Sequence, residues 1–291
     1  MTVFWLSVGF GFVTASVLAL ASVGLSLQFG VTNYVNFAYG AFLTLGAYFA
    51  WTVLTGGHLP LWLAILIGSL GVGVVGVVSD RVVFRSFTRS GFPLFYLLIV
   101  SFGLSLILGN VVQGVWGPSP QFFAVVSQYP LHIGPFLLTP AQLVIIGVAI
   151  LTMVGVHLLL TRTRLGKAMR AMSDNPALAQ VSGIDINRVT TWAWFISGTL
   201  AGLAGIGLAI STASFEPAFG ENFLFIIFAA VIVGGIGQPY GAMLGAFVIG
   251  MVTEVSAAII DPAYSTDLAF VVLIVMLLLR PQGLIPARGK A

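Results

Sequence analysis

The chain alternates long apolar runs with brief polar breaks. The runs predict helices at about 4–29, 35–55, 59–79, 94–116, 139–160, 189–212, 222–237, 240–258 and 267–280. Most have the ~20 residues that an α-helix needs to cross a hydrocarbon layer ~30 Å thick. No stretch shows the short alternating segments of a transmembrane barrel. The pattern therefore predicts an all-α, polytopic transmembrane helical bundle of about eight or nine crossings, forming a single domain over residues 1–291. Glycines interrupt 222–258, notably Gly234, Gly235 and Gly237, so a broken or re-entrant helix is expected there.

Composition narrows the class. Hydrophobic residues make up 59% and charged residues 7% of the chain, with a mean hydropathy of +1.10. A soluble domain carries about 25% charged residues, so this chain could not cover a water-facing globule. It has no cysteine, which removes disulfides, thiolate metal sites and cysteine nucleophiles. No Lys or Arg precedes Arg81, so the first run lacks the basic region of a cleavable signal peptide. A net charge of +3 in so apolar a chain reports topology rather than a nucleic-acid partner.

The 11 basic residues fall in three clusters: Arg81, Arg85 and Arg89; Arg162, Arg164, Lys167, Arg170 and Arg188; and Arg280, Arg288 and Lys290. The other polar loops carry Glu216, Glu221, Asp261 and Asp267 without a cation. By the positive-inside rule the basic clusters and the C-terminus are expected in the cytoplasm. An odd number of crossings then places the N-terminus outside. A long uncharged loop, 117–138, is external in this topology, and is either a connector or a surface under a partner or lid. A short echo, Tyr39–Leu43 (YGAFL) against Tyr240–Leu244 (YGAML), raises the possibility of parallel repeats, an arrangement that places pathways at broken helices.

The segment 161–188 carries the most local information. Leu165, Ala168, Met169 and Met172 make an apolar stripe at helical spacing, interleaved with Arg164, Lys167 and Arg170. Asp174 or Asn175 can cap a second helix, Pro176 suits its first position, and Gly183 suits the residue just past its end. A short, bounded helix on a cytoplasmic loop fits insertion into a cleft on another protein. The alternative is an interfacial helix on anionic lipid, which explains the basic first piece better than the second, where no Lys or Arg stands between Asp174 and Gly183.

These residues also carry a resemblance. "ALAQVSG", Ala177 to Gly183, is similar to the cytoplasmic EAA-type loop of ABC importer permeases, with Ala177 at the usual glutamate. More widely, "VNFAYGAFLTLGAY", "TRLGKAMRAMSDNPALAQVSGIDINRV", "AAVIVGGIGQPYGAMLGAFVIG" and "RPQGL" resemble the LivH-type permease subunit of branched-chain amino acid ABC transporters. Tyr39 stands where that family usually has histidine, and Gln238 where serine is common. The resemblance implies partners: a second permease chain (LivM-like), two ABC ATPase subunits and an external substrate-binding protein, in a bacterial inner membrane. It implies that Arg164, Gly166, Asp174, Pro176, Ala177, Ala179 and Gly183 serve ATPase coupling. Pathway or gate candidates are Asn36, Tyr39, Gly40, Gly234, Gly235, Gly237 and Glu254.

ATP and magnesium are expected on the partners alone, since the chain has no G-x-x-x-x-G-K-[ST] loop. Its three histidines are scattered and no H-E-x-x-H or G-x-S-x-G occurs, so no catalytic or metal-binding residue is expected. An ion-coupled carrier or channel would place ionisable groups at mid-membrane; Glu254 is the acid well inside a predicted crossing. The substrate choice stays open between branched-chain amino acids and other amino acids, urea or short amides.

Overall fold

A computed structural model describes residues 2–57, 59–123, 129–134 and 136–285. Arg288 and Lys290, His58 and the middle of the 117–138 loop lie outside these. Two long helices form the centre: α1 (Thr2–Thr32) and α9 (Ile186–Thr212). Around them stand α2 (Tyr39–Gly56), α3 (Leu61–Ser79), α5 (Leu94–Trp116), α6 (Pro140–Arg162), α10 (Phe219–Gly234), α11 (Pro239–Ile259) and α12 (Ser265–Leu279). Seven helical spans among the described residues are long and apolar enough to cross a membrane. α2, with its buried tyrosines, and the shorter α10 complete the bundle from within. The outer helices turn large apolar side chains outward, among them Ile107, Leu151 and Leu278, as a lipid-facing surface requires.

The centre is close-packed through glycine. A Cβ on Gly46 would press on the backbone of Gly202, and one on Gly205 on the backbone of Leu43. Without a hydrophobic driving force between helices in lipid, such backbone approach supplies the dispersion contacts that hold a bundle together.

The architecture is an inverted repeat. α1 ends at Thr32 and Asn33 takes the left-handed conformation (φ 60°); α9 ends at Thr212 and Ala213 does the same (φ 61°). These are the two non-glycine residues with positive φ among those described. At matching positions each chain segment then turns back into the bundle, through Ala38 or Ala218, and starts a new helix on an aromatic–glycine pair, Tyr39–Gly40 or Phe219–Gly220. The neighbours repeat as well: Gly250 of α11 packs on Ala15 of α1, and Gly73 of α3 on Phe195 of α9. α1 and α9 run antiparallel, since Val31 at the end of one meets Val189 near the start of the other. The counterpart of α2 is thus α10, running the opposite way, and α11 is the counterpart of α3. The YGAFL/YGAML echo pairs α2 with α11, which the packing does not.

Two other expectations change. Residues 35–38 are not helical, and the third crossing does not stop at 79. It continues through a π-helical turn, Asp80–Phe84, into α4 (Arg85–Arg89), so Arg81 and Arg85 sit on helix rather than loop. Arg85 Nη2 donates to Asp80 Oδ2 (2.9 Å) and to Thr191 Oγ1 of α9 (2.7 Å). Asp80 is thereby buried with its counter-charge, the condition under which a carboxylate is tolerated there. The loop 117–138 is tied to the segment after α9 at its first described end and folds on itself as a hairpin at its second. β1 (Gln121–Phe122) pairs with β4 (Ser214–Phe215), and β2 (Leu131–Ile133) pairs with β3 (Phe136–Leu138).

Candidate coupling surface and substrate-facing strip

The segment between α6 and α9 folds as two helices, α7 (Arg164–Asp174) and α8 (Pro176–Val181). Thr163, a cap the sequence reading missed, accepts from Gly166 N (3.0 Å) to start α7. Between the two candidate caps of α8 the structure chooses Asn175, whose Oδ1 accepts from Leu178 N (3.0 Å); Asp174 is the last residue of α7. Gly183 (φ 85°) closes α8: its N–H donates to Gln180 O and the next, Ile184 N–H, to Ala179 O. That is a Schellman ending, which a residue with a Cβ would strain.

The buried stripe of α7 and α8 fixes where this element sits. Met169, Met172 and Ala179 bury together with Val31 at the end of α1 and Val189 and Ala193 at the start of α9. Gly166 lets α7 press on the backbone of Leu159 and Leu160 at the end of α6. On the opposite side Leu178 is 64% and Val181 86% exposed, with Ala177, Pro176, Arg164, Lys167 and Arg170 exposed beside them. All seven predicted coupling residues therefore lie on one compact element: Gly166 and Ala179 inward, Arg164, Asp174, Pro176 and Ala177 outward, and Gly183 at the stop.

The predicted pathway residues are not together. Asn36 and Tyr39 are fully buried. Tyr39 Oη donates to Ala21 O (2.9 Å), bridging α2 to α1. Asn36 Oδ1 accepts from Ala38 N (3.0 Å), while its Nδ2 donates to Gln28 Oε1 (3.4 Å), which also accepts from Ser197 Oγ (3.2 Å). A Cβ on Gly40 would stand 2.8 Å from Gly220 O, so the starts of α2 and α10 touch. Gly220 N donates to Thr44 Oγ1 (3.2 Å) and Phe37 N to Ser101 Oγ (3.0 Å), so neighbouring helices satisfy the broken ends. Gly234, Gly235 and Gly237 make the α10–α11 turn: Gly235 and Gly237 have positive φ, and Gly234 O accepts from Ile285 N (3.1 Å) of the C-terminal segment. Glu254 stands far from these, accepting from Thr14 Oγ1 (2.6 Å).

The sequence reading missed Glu221. The pattern puts it in a polar loop outside, but it lies in the first turn of α10, next to the Gly40–Gly220 contact deep in the bundle. Ser105 Oγ of α5 donates to Glu221 Oε1 (2.9 Å), and Gly109 leaves room beside the same oxygen. Asn222 is exposed, as is Gln113 on the α5 face that carries Ser105 and Gly109. This makes a polar strip on the outside of the chain at the level where both halves meet. The usable signal was Ala218–Phe219–Gly220, the second copy of Ala38–Tyr39–Gly40. Among the described residues no cluster of His, Asp and Glu could hold a metal ion.

A family model described as "Branched-chain amino acid transport system / permease component" matches residues 7–279. The chain is 29% identical over 284 residues to a probable branched-chain amino acid transport permease protein LivH of Methanocaldococcus jannaschii, covering 93% of this chain and 89% of that protein. It is 28% identical over 290 residues to the high-affinity permease protein LivH of Escherichia coli K12, and 29% over 288 residues to the BraD permease protein of Pseudomonas aeruginosa. Each covers 94% of this chain and 93% of the relative. No solved structure matches.

Proposed function

The chain belongs to the permease components of branched-chain amino acid transport systems, and we propose that it couples to separate ATPases through α8. The observation that carries this is the position of α8: capped at both ends, seated on the end of α1 and the start of α9, and apolar on its free side. In this reading Leu178 and Val181 fill a cleft on a partner ATPase, and Arg164, Lys167 and Arg170 flank it. ATP and magnesium belong to that partner. The α7–α8 end and the C-terminus are cytoplasmic, and the chain lies in a bacterial inner membrane beside a second, LivM-like permease. An external binding protein delivers leucine, isoleucine or valine.

Motion of α8 would act on α1 and α9 together, because one buried cluster joins all three. Those two helices lead directly into the two returns that start α2 and α10, so a tilt between them shifts the Gly40–Gly220 contact and the strip at Ser105, Glu221 and Asn222. Coupling of this kind requires that α8 make different contacts in the two states. The test is a Leu178→Asp/Val181→Asp double variant, which changes only exposed positions. It should keep its membrane level and thermal stability, lose co-purification of the ATPases, and lose uptake. Normal co-purification would overturn the assignment.

A further inference from the structure

The two inverted halves treat their carboxylates differently. In the first half Asp80, beyond Gly73 on α3, is paired with Arg85. In the second half Glu254 stands beyond Gly250, on the same face of α11 and one turn nearer the shared contact, and no salt bridge reaches it among the described residues. Glu254 instead borders a cavity of about 360 Å³ at the end of the bundle away from α7 and α8, among α1, α6, α9, α10, α11 and α12. Among the described residues no Lys, Arg or His lines it. The volume is far above the ~10–15 Å³ needed to admit one water.

Five of the six hydroxyls around this cavity have their protons committed. Ser211 donates to Leu208 O (2.8 Å), Thr253 to Gly250 O (2.9 Å) and Ser265 to Pro262 O (2.8 Å). Thr212 donates to Leu208 O (3.0 Å), and Thr14 to Glu254 itself (2.6 Å). Each therefore offers lone pairs, not a proton, to whatever enters. The amide of Gln142, whose oxygen is held by Thr139 N (2.8 Å), and the hydroxyl of Thr266 are the neutral exceptions. A carboxylate without a counter-charge, ringed by acceptors, is complementary to a positively charged donor.

We infer that this cavity is a binding site for a monovalent cationic group, the place of Arg85 being left to a ligand. Two sources share that chemistry: the ammonium of an amino acid and an inorganic cation. The site is independent of the coupling role, and its test reads thiol chemistry rather than uptake.

Because the chain has no cysteine, Ser265→Cys supplies a single thiol inside the cavity. In the reconstituted transporter its rate of modification is compared between 2-aminoethyl methanethiosulfonate, cationic, and 2-sulfonatoethyl methanethiosulfonate, anionic. The cation-to-anion rate ratio should fall by about tenfold when Glu254→Gln is added. Thr14→Val, which removes the hydrogen bond but keeps the charge, should leave it unchanged. Isopentylamine should slow modification of Ser265→Cys alone, and 4-methylpentanoate, which lacks the amine, should not. Protection by the amine but not by sodium chloride (choline chloride balancing ionic strength) assigns the site to an ammonium; protection by sodium chloride assigns it to an inorganic cation. A ratio indifferent to Glu254, or equal protection by 4-methylpentanoate, overturns the inference.

Discussion

The return after α1 and the return after α9 share a backbone but are filled differently. Both turn on a left-handed residue and restart on an aromatic–glycine pair. The first is held from inside by amide side chains, Asn36 bonding Ala38 N and Gln28. The second is held from outside: β4 pairs with β1, and Phe215 packs edge-on against Tyr48 (ring centroids 5.0 Å apart). Glu216, at the position equivalent to Asn36, is exposed. The same turn is thus built with buried hydrogen bonds at the end that carries α7 and α8, and with a strand pair at the other. An inverted repeat needs to preserve only the crossing of its halves; each end can adapt to what it meets.

The largest effect should come from the shared crossing, where both halves depend on the missing Cβ. Gly220→Val would drive a side chain into Gly40 O and Thr44. Overpacking of this kind costs about 1–3 kcal/mol, and thermal unfolding in detergent should show a large loss. Next, Asn36→Leu removes a buried acceptor from Ala38 N and a donor from Gln28, a cost of about 1–3 kcal/mol. Glu216→Leu should stay within about 0.5 kcal/mol of the parent, as exposed positions do. Equal losses at these two sites would erase the contrast between the returns. A smaller change than at Asn36 is expected at the left-handed residues, whose cost for an alanine is about 1–2 kcal/mol. Asn33→Ala should destabilise and Ala213→Asn stabilise, each by about 1 kcal/mol or less, because asparagine tolerates that conformation better.

Much of the fold was legible because its signals are local. Apolar run length places most helices, and Asn175, Pro176 and Gly183 write α8 into a few residues. The centre was not legible. Whether a polar break lies at a membrane surface or folds back inside depends on which helices cover it, and Asn36 reads the same in either setting. Tyr39 illustrates the limit: a polar-tipped aromatic at a helix start suits a pathway as well as a bridge to Ala21 O, and only packing distinguishes the two. Ser214–Asn222 is polar enough to read as an outside loop carrying Glu221; its depth follows from Gly220 meeting Gly40.

In the proposed coupling, α8 is the contact through which ATPase motion reaches α1 and α9. A photo-crosslinker carried on Val181→Cys, in a chain with no other thiol, tests it directly. The predicted result is a crosslink to an ATPase subunit whose yield differs between the ATP-free and ATP-trapped transporter, with none from the same label on Phe95→Cys, exposed on the outer face of α5. Labelling of lipid alone from Val181→Cys, or an ATPase crosslink with the same yield in both states, would contradict it.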